Sequence, residues 1–138
     1  MIRDEEEIQE MAERAFYSII QYCPDAFRAE SVNVGLVLLE EKQQNKCGVT
    51  TDLSRVTKLF DMTSDDLVNL RVSLQGFLNQ FEYSPEMLTE AELTHFVNTR
   101  ANDLRMTQPR LAKIKDFNVD FERLFRQLVD DPKAQILK

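Results

Sequence analysis

The chain contains no tryptophan, one histidine, two cysteines and three glycines in 138 residues, and no apolar run approaches the roughly 20 residues of a membrane span. Each shortage removes a class of chemistry. The glycines, Gly35, Gly48 and Gly76, are scattered, which excludes a Gly-rich phosphate loop. Cys23 and Cys47 stand 24 positions apart with no Cys-x-x-Cys pair, and His95 is the lone histidine. A zinc site needs about four ligands and disulfides are rare inside cells, so reduced thiols and no metal are expected. Cations are outnumbered: 17 Lys and Arg against 24 Asp and Glu leave a formal charge of −7 and a pI near 4.8. That balance favours solubility and opposes a phosphate backbone as partner. Met1 to Glu10 is acidic and lacks the positive start and apolar centre of a secretory signal. The expectation is a soluble, cytoplasmic protein with no cofactor and no direct contact to nucleic acid or membrane.

With 43% apolar residues, a chain of this length can bury one core, so a single domain over 1–138 is expected, with an acidic helical leader at 1–15 and a flexible tail at 132–138. The best-specified stretch is Phe16 to Glu40. Two runs rich in β-branched and large apolar residues flank a polar turn with Pro24, Asp25, Arg28 and Glu30, the pattern of two adjacent antiparallel strands. In the first, Tyr17 and Ile19 oppose Phe16, Ile20 and Tyr22, so both faces are covered. In the second, strict alternation places Val32, Val34, Leu36 and Leu38 on one face and Asn33, Gly35, Val37 and Leu39 on the other. Cys47 to Thr50 reads as a short third strand.

Helical spacing begins near Asp52. Leu53, Val56, Leu59 and Phe60 form one stripe, and Thr63 with Asp66 starts a longer helix carrying Leu67, Leu70, Leu74, Phe77, Leu78 and Phe81. Gly76 inside that helix predicts a close crossing by a neighbouring element. Thr89 and Glu92 form a capping box before Leu93, Phe96 and Val97. Leu104 and Met106 then alternate with Arg105 and Thr107, Pro109 predicts an edge or a break, and Leu111 to Lys115 continues the strand. A last helix from Asn118 carries Phe121, Leu124, Phe125 and Leu128, with Glu122 four residues before Arg126. Strands near both ends with helices between predict an α+β domain: a mostly antiparallel sheet of three to five strands around the 16–40 hairpin, with four to five helices on one face.

Two stretches resemble the bacterial family known as domain of unknown function 3037. One is YSIIQYCPDAFRAESVNVGLVLLE at Tyr17 to Glu40. The other is LRMTQPRLAKIKDFNVDFERLFRQLV at Leu104 to Val129. Together they cover about the first and last thirds of the chain, and the combination of Asn-Val-Gly with the C-terminal helix is specific for the family. The resemblance implies no biochemical activity. It implies a biological setting, because members are often encoded beside a HipA-like kinase, which suggests an accessory or antitoxin-like protein.

The polar residues that could form a site are Arg28, Glu30 and Asn33 at the hairpin and Arg100, Asp103 and Arg105 before and in the late strand. If that strand pairs beside the first two, the groups converge on a set able to hold a phosphate or carboxylate. The simpler outcome is an ion pair at Glu30, an Asn33 that satisfies backbone groups at a turn or bulge, and a Gly35 that permits close packing. His95 lacks a placed nucleophile, Cys23 fits a buried thiol, the Asp65-Asp66 and Asp130-Asp131 pairs fit helix ends, and Phe16, Tyr17 and Tyr22 fit core packing before base stacking. Three functions follow as expectations. The first is a non-enzymatic protein–protein interaction module, with a partner such as a kinase-like toxin. The second is an acidic, phage- or mobile-element-encoded inhibitor of a nucleic-acid-binding defence enzyme. The third is a small ligand binder or enzyme using the 28–33 corner with Arg105. Apolar residues of the leader, from Ile8 to Ala15, offer a contact for a homodimer or another protein.

Overall fold

The computed structural model describes residues 14–24, 31–82, 88–98 and 104–130. Among them the elements run β1 (Ala15–Tyr22), β2 (Val32–Glu40), β3 (Gln44–Val49), α1 (Ser54–Leu59), α2 (Ser64–Glu82), α3 (Glu90–Asn98), β4 (Leu104–Met106), β5 (Arg110–Ala112) and α4 (Phe117–Phe125), with a π turn at Arg126–Asp130. The five strands form one antiparallel sheet in the order β3-β2-β1-β4, and β5 also pairs with β1. This is an α+β fold centred on the β1–β2 hairpin. The expected helical leader and the tail lie outside the described residues, except for Arg14 and Ala15, which are not helical: Ala15 opens β1 and the Arg14 carbonyl accepts from the Glu41 amide at 2.9 Å.

β1 is central because both of its faces are apolar. Phe16, Ile20 and Tyr22 enter one buried cluster, while Ala15 and Ile19 enter a second, with Tyr17 packed beside them. The strand thus needs cover on two sides. α1, α2 and α3 supply it on the first through Leu53, Val56, Leu70, Leu74, Phe77, Phe81, Leu93 and Val97. α4 and its π turn supply it on the second through Phe117, Phe121 and Val129. Helices therefore lie on both faces, not on one as the element order suggested.

β2 departs from strict alternation. Val32 and Val34 join the first cluster, but so do Val37 and Leu39, whereas Leu36 and Leu38 join the second. The cause is a bulge: Ile20 pairs with Gly35 and Gln21 with Asn33, leaving Val34 as the extra residue. An extra residue resets the two-residue period, so all side chains beyond it change faces relative to simple alternation. Gly35 occupies the tightest point. A Cβ there would stand 2.8 Å from the Gly48 carbonyl oxygen, 2.9 Å from Ile20 Cδ1 and 3.1 Å from Val49 Cγ1.

The helix starts follow local chemistry. Thr63 Oγ1 accepts from the Asp66 amide and Asp66 Oδ2 accepts from the Thr63 amide, both at 3.1 Å, a reciprocal capping box. Thr89 Oγ1 accepts from the Glu92 amide at 3.2 Å, while Glu92 Oε1 takes the Thr89 hydroxyl at 2.9 Å and the Leu88 amide at 3.2 Å. α4 begins one residue earlier than the sequence implied. Asp116 caps it by accepting from the Val119 amide at 3.1 Å, so Phe117 is the first helical residue and a buried anchor. Glu122 approaches Lys46 on β3 at 3.8 Å.

Two packing expectations are corrected. Leu59 does not complete the α1 stripe: it is 49% exposed, because α1 ends there and Phe60 turns extended to meet Tyr22 edge-on at 5.5 Å. Gly76 marks no crossing. Its face of α2 is exposed, and a Cβ built there meets nothing within 4 Å among the described residues.

Pro109 divides the late edge as expected. β4 pairs with the end of β1 and β5 with its start. Between them Thr107 keeps the edge attached: its amide donates to the Ile19 carbonyl at 2.9 Å, its hydroxyl accepts from the Ile19 amide at 2.9 Å, and its carbonyl accepts from the Ser18 hydroxyl at 2.6 Å. A side-chain oxygen stands in for a strand carbonyl, which explains how Ser18 is fully buried in an otherwise apolar strand.

Candidate functional site

Asn33, Gln21 and Arg105 occupy one row across three strands, since Gln21 pairs with Asn33 on one side and with Arg105 on the other. Cross-strand partners share a face, and this is the face that α4 covers. The late strand does come beside the first two, and it brings Arg105 into register with the hairpin. The bulge at Val34 aims Asn33 into that face.

Asn33 is buried. Its Oδ1 accepts from Gln21 Nε2 at 2.9 Å and its Nδ2 donates to the Leu128 carbonyl at 2.9 Å. The next carbonyl, Val129, accepts from an Arg55 guanidinium nitrogen at 2.6 Å. Leu128 and Val129 lie in the π turn that ends α4, where the last carbonyls of a helix have no intrahelical partner. A donor from β2 and a cation from α1 satisfy them, and the guanidinium also meets the negative end of the helix dipole. The arrangement clasps the C-terminal helix to the sheet and to α1. Arg105, one strand beyond Gln21, is exposed. Arg28, Glu30, Arg100 and Asp103 lie outside the described residues.

Gln21 and Arg55 complete this cluster, and neither stood out in the sequence. Gln21 had a visible cue: it is the one amide in the run Ile19 to Tyr22, and a buried polar group in a strand needs a partner. Arg55 had none, because its partner is 74 residues away.

The other reactive side chains are placed apart from this row. Cys23 is buried at the end of β1. Cys47 packs against the first cluster from β3, and burial pushes its thiol up to about 12, far from a reactive thiolate. His95 is exposed on α3. Among the described residues, no group of three or more His, Cys, Asp and Glu could hold a metal ion, and no helix is long and apolar enough to cross a membrane.

The fold and its clasp define a small α+β protein whose C-terminal helix is locked onto an antiparallel sheet by an amide from the central hairpin. The chain belongs to the family described as Protein of unknown function (DUF3037), whose model matches residues 17–129. The match spans all of the sheet but the first two residues of β1, the helices on both faces and most of the π turn. No curated protein and no solved structure matches the chain significantly.

Proposed function

We propose that the protein is a non-enzymatic protein–protein interaction module of the bacterial cytoplasm, acting as an accessory or antitoxin-like regulator of a partner such as a HipA-like kinase. The observation that supports this reading is the outer face of α2. Val68 is 57% and Val72 66% exposed, one turn apart, and Gly76 continues the same row, with nothing among the described residues within 4 Å of where a Cβ would be. Residues at i, i+4 and i+8 form the ridge that helices use when they pack on one another, and a glycine in that row leaves a notch for a partner's side chain. These two exposed valines, in line on a helix whose opposite stripe fills the core, stand outside both buried clusters of the described residues. The buried Asn33 clasp has a structural explanation, so the row Asn33, Gln21 and Arg105 gives the ligand-binding alternative less support.

Affinity purification of the tagged protein from its native host tests the reading, followed by the same purification with Val72→Glu. A defined partner recovered with the wild type and lost with Val72→Glu is the expected result. Recovery of the protein alone under gentle conditions, or equal recovery of the partner with the variant, would overturn it.

A further inference from the structure

We propose that the β4–β5 edge of the sheet docks an extended acidic segment of another protein, which adds as a strand beside β5. The inference rests on the reading of the protein as an interaction module, but it concerns a second surface, away from the α2 ridge.

Three observations converge there. First, β4 and β5 pair with β1 on one side, and among the described residues no strand lies beyond them. An edge strand presents outward-facing N–H and C=O groups that an added strand can use. Second, charge is distributed against the average of the chain. Arg105, Arg110, Lys113 and Lys115 fall within eleven residues with no carboxylate until Asp116, in a protein of net charge −7. All four are exposed, and none has an ion-pair partner within 4 Å among the described residues. Third, Leu111, paired with Phe16 in the middle of β5, is 61% exposed.

Edge cations also serve to discourage pairing between identical chains. That role accounts for the charges alone, whereas an added strand would also cover Leu111 at the centre of β5. Together the three features fit a strand that offers carboxylates to Arg110, Lys113 and Lys115 and an apolar side chain to Leu111. A nucleic acid would satisfy the cations, but it meets the repulsion of the whole chain and uses neither Leu111 nor the directional backbone groups. Pro109 has no N–H and confines the added strand to β5 and the residues after it, so the contact is short.

The probe is a fluorescein-labelled heptapeptide Glu-Glu-Glu-Val-Glu-Glu-Glu, whose central Val can lie opposite Leu111 with a Glu two places on, on the same face, opposite Lys113, measured by anisotropy with the full chain. Lys113→Glu with Lys115→Glu should weaken binding about tenfold or more, raised salt should weaken it as well, and N-methylation of alternate peptide nitrogens should abolish it. Backbone amide NMR shifts should move in residues 110–115. Equal binding of the N-methylated peptide or of a polyglutamate of the same charge would overturn the proposal, as would tighter binding of an oligothymidylate, no binding at millimolar peptide, or shifts mapping elsewhere. Val72→Glu should leave peptide binding unchanged. Peptide binding without partner capture therefore counts against the α2 reading alone, and partner capture without peptide binding counts against the edge alone.

Discussion

Replacing glycine by alanine at two positions should change stability in opposite directions, and the comparison tests the packing of the sheet directly. At Gly35 the added methyl would lie 2.8 Å from the Gly48 carbonyl, a backbone atom held in the β2–β3 ladder. It would also press on Ile20 Cδ1 at 2.9 Å. Backbone cannot yield as a flexible side-chain tip can, so the bulge must open or β3 must shift; overpacking of this kind costs about 1–3 kcal/mol. At Gly76 the methyl meets nothing within 4 Å among the described residues, and alanine in an exposed helix interior is favoured over glycine by about 0.5–1 kcal/mol. For a domain of this size 1 kcal/mol corresponds to roughly 3–4 °C in Tm. Gly35→Ala should therefore melt roughly 3–12 °C below the wild type and Gly76→Ala roughly 2–4 °C above it, by calorimetry or circular dichroism with matching urea midpoints. A neutral Gly35→Ala would mean that the bulge is not pinned against β3. A destabilising Gly76→Ala would mean that the outer face of α2 is already occupied in the isolated protein.

Asn33→Ala removes a buried amide that bonds the Leu128 carbonyl and Gln21, and should cost about 1–3 kcal/mol in urea unfolding, with amide exchange accelerating first in 126–130. Cys47 should resist iodoacetamide in the folded protein near neutral pH and react when urea unfolds the chain, because burial holds its thiol protonated up to about pH 12; rapid alkylation of the native state would contradict its packing. Asp120 is held below the usual carboxylate range by the amides of Lys115 and Asp116, and then by Arg123. A depressed carboxyl contributes stability that is present above its unfolded value and is lost as pH falls through its folded one. Asp120→Asn should thus flatten the acid limb of the stability profile below about pH 4, with little further change from pH 5 to 8.

Much of the scaffold was legible in local pattern. Phe16 to Glu40 read as a hairpin because apolar, β-branched runs flanked a Pro-Asp turn. Thr63 and Thr89 read as helix starts because a hydroxyl followed three residues later by a carboxylate closes a capping box within one turn. Pro109 read as a break because a residue without an N–H cannot continue a ladder. All of these depend on groups within a few residues of one another, and such effects survive in the bare sequence.

What the sequence alone determined, then, was the class of the fold, the central hairpin, the late strand and the helices between, since periodicity and capping act over a single turn or strand. The tertiary structure decided the rest. Val34 becomes a bulge only when β2 must match β1 and β3 at once, and that one extra residue turned Asn33 towards the C-terminal helix and exchanged the faces of Leu36 and Val37. The roles of Gln21 and Arg55, the cover on both faces, the bare outer side of Gly76 and the cationic edge at Arg110 to Lys115 all depend on which distant segments meet. A buried carbonyl at Leu128 or Val129 takes its donor from whatever side chain the fold brings within hydrogen-bonding distance, and separation along the chain carries no information about that.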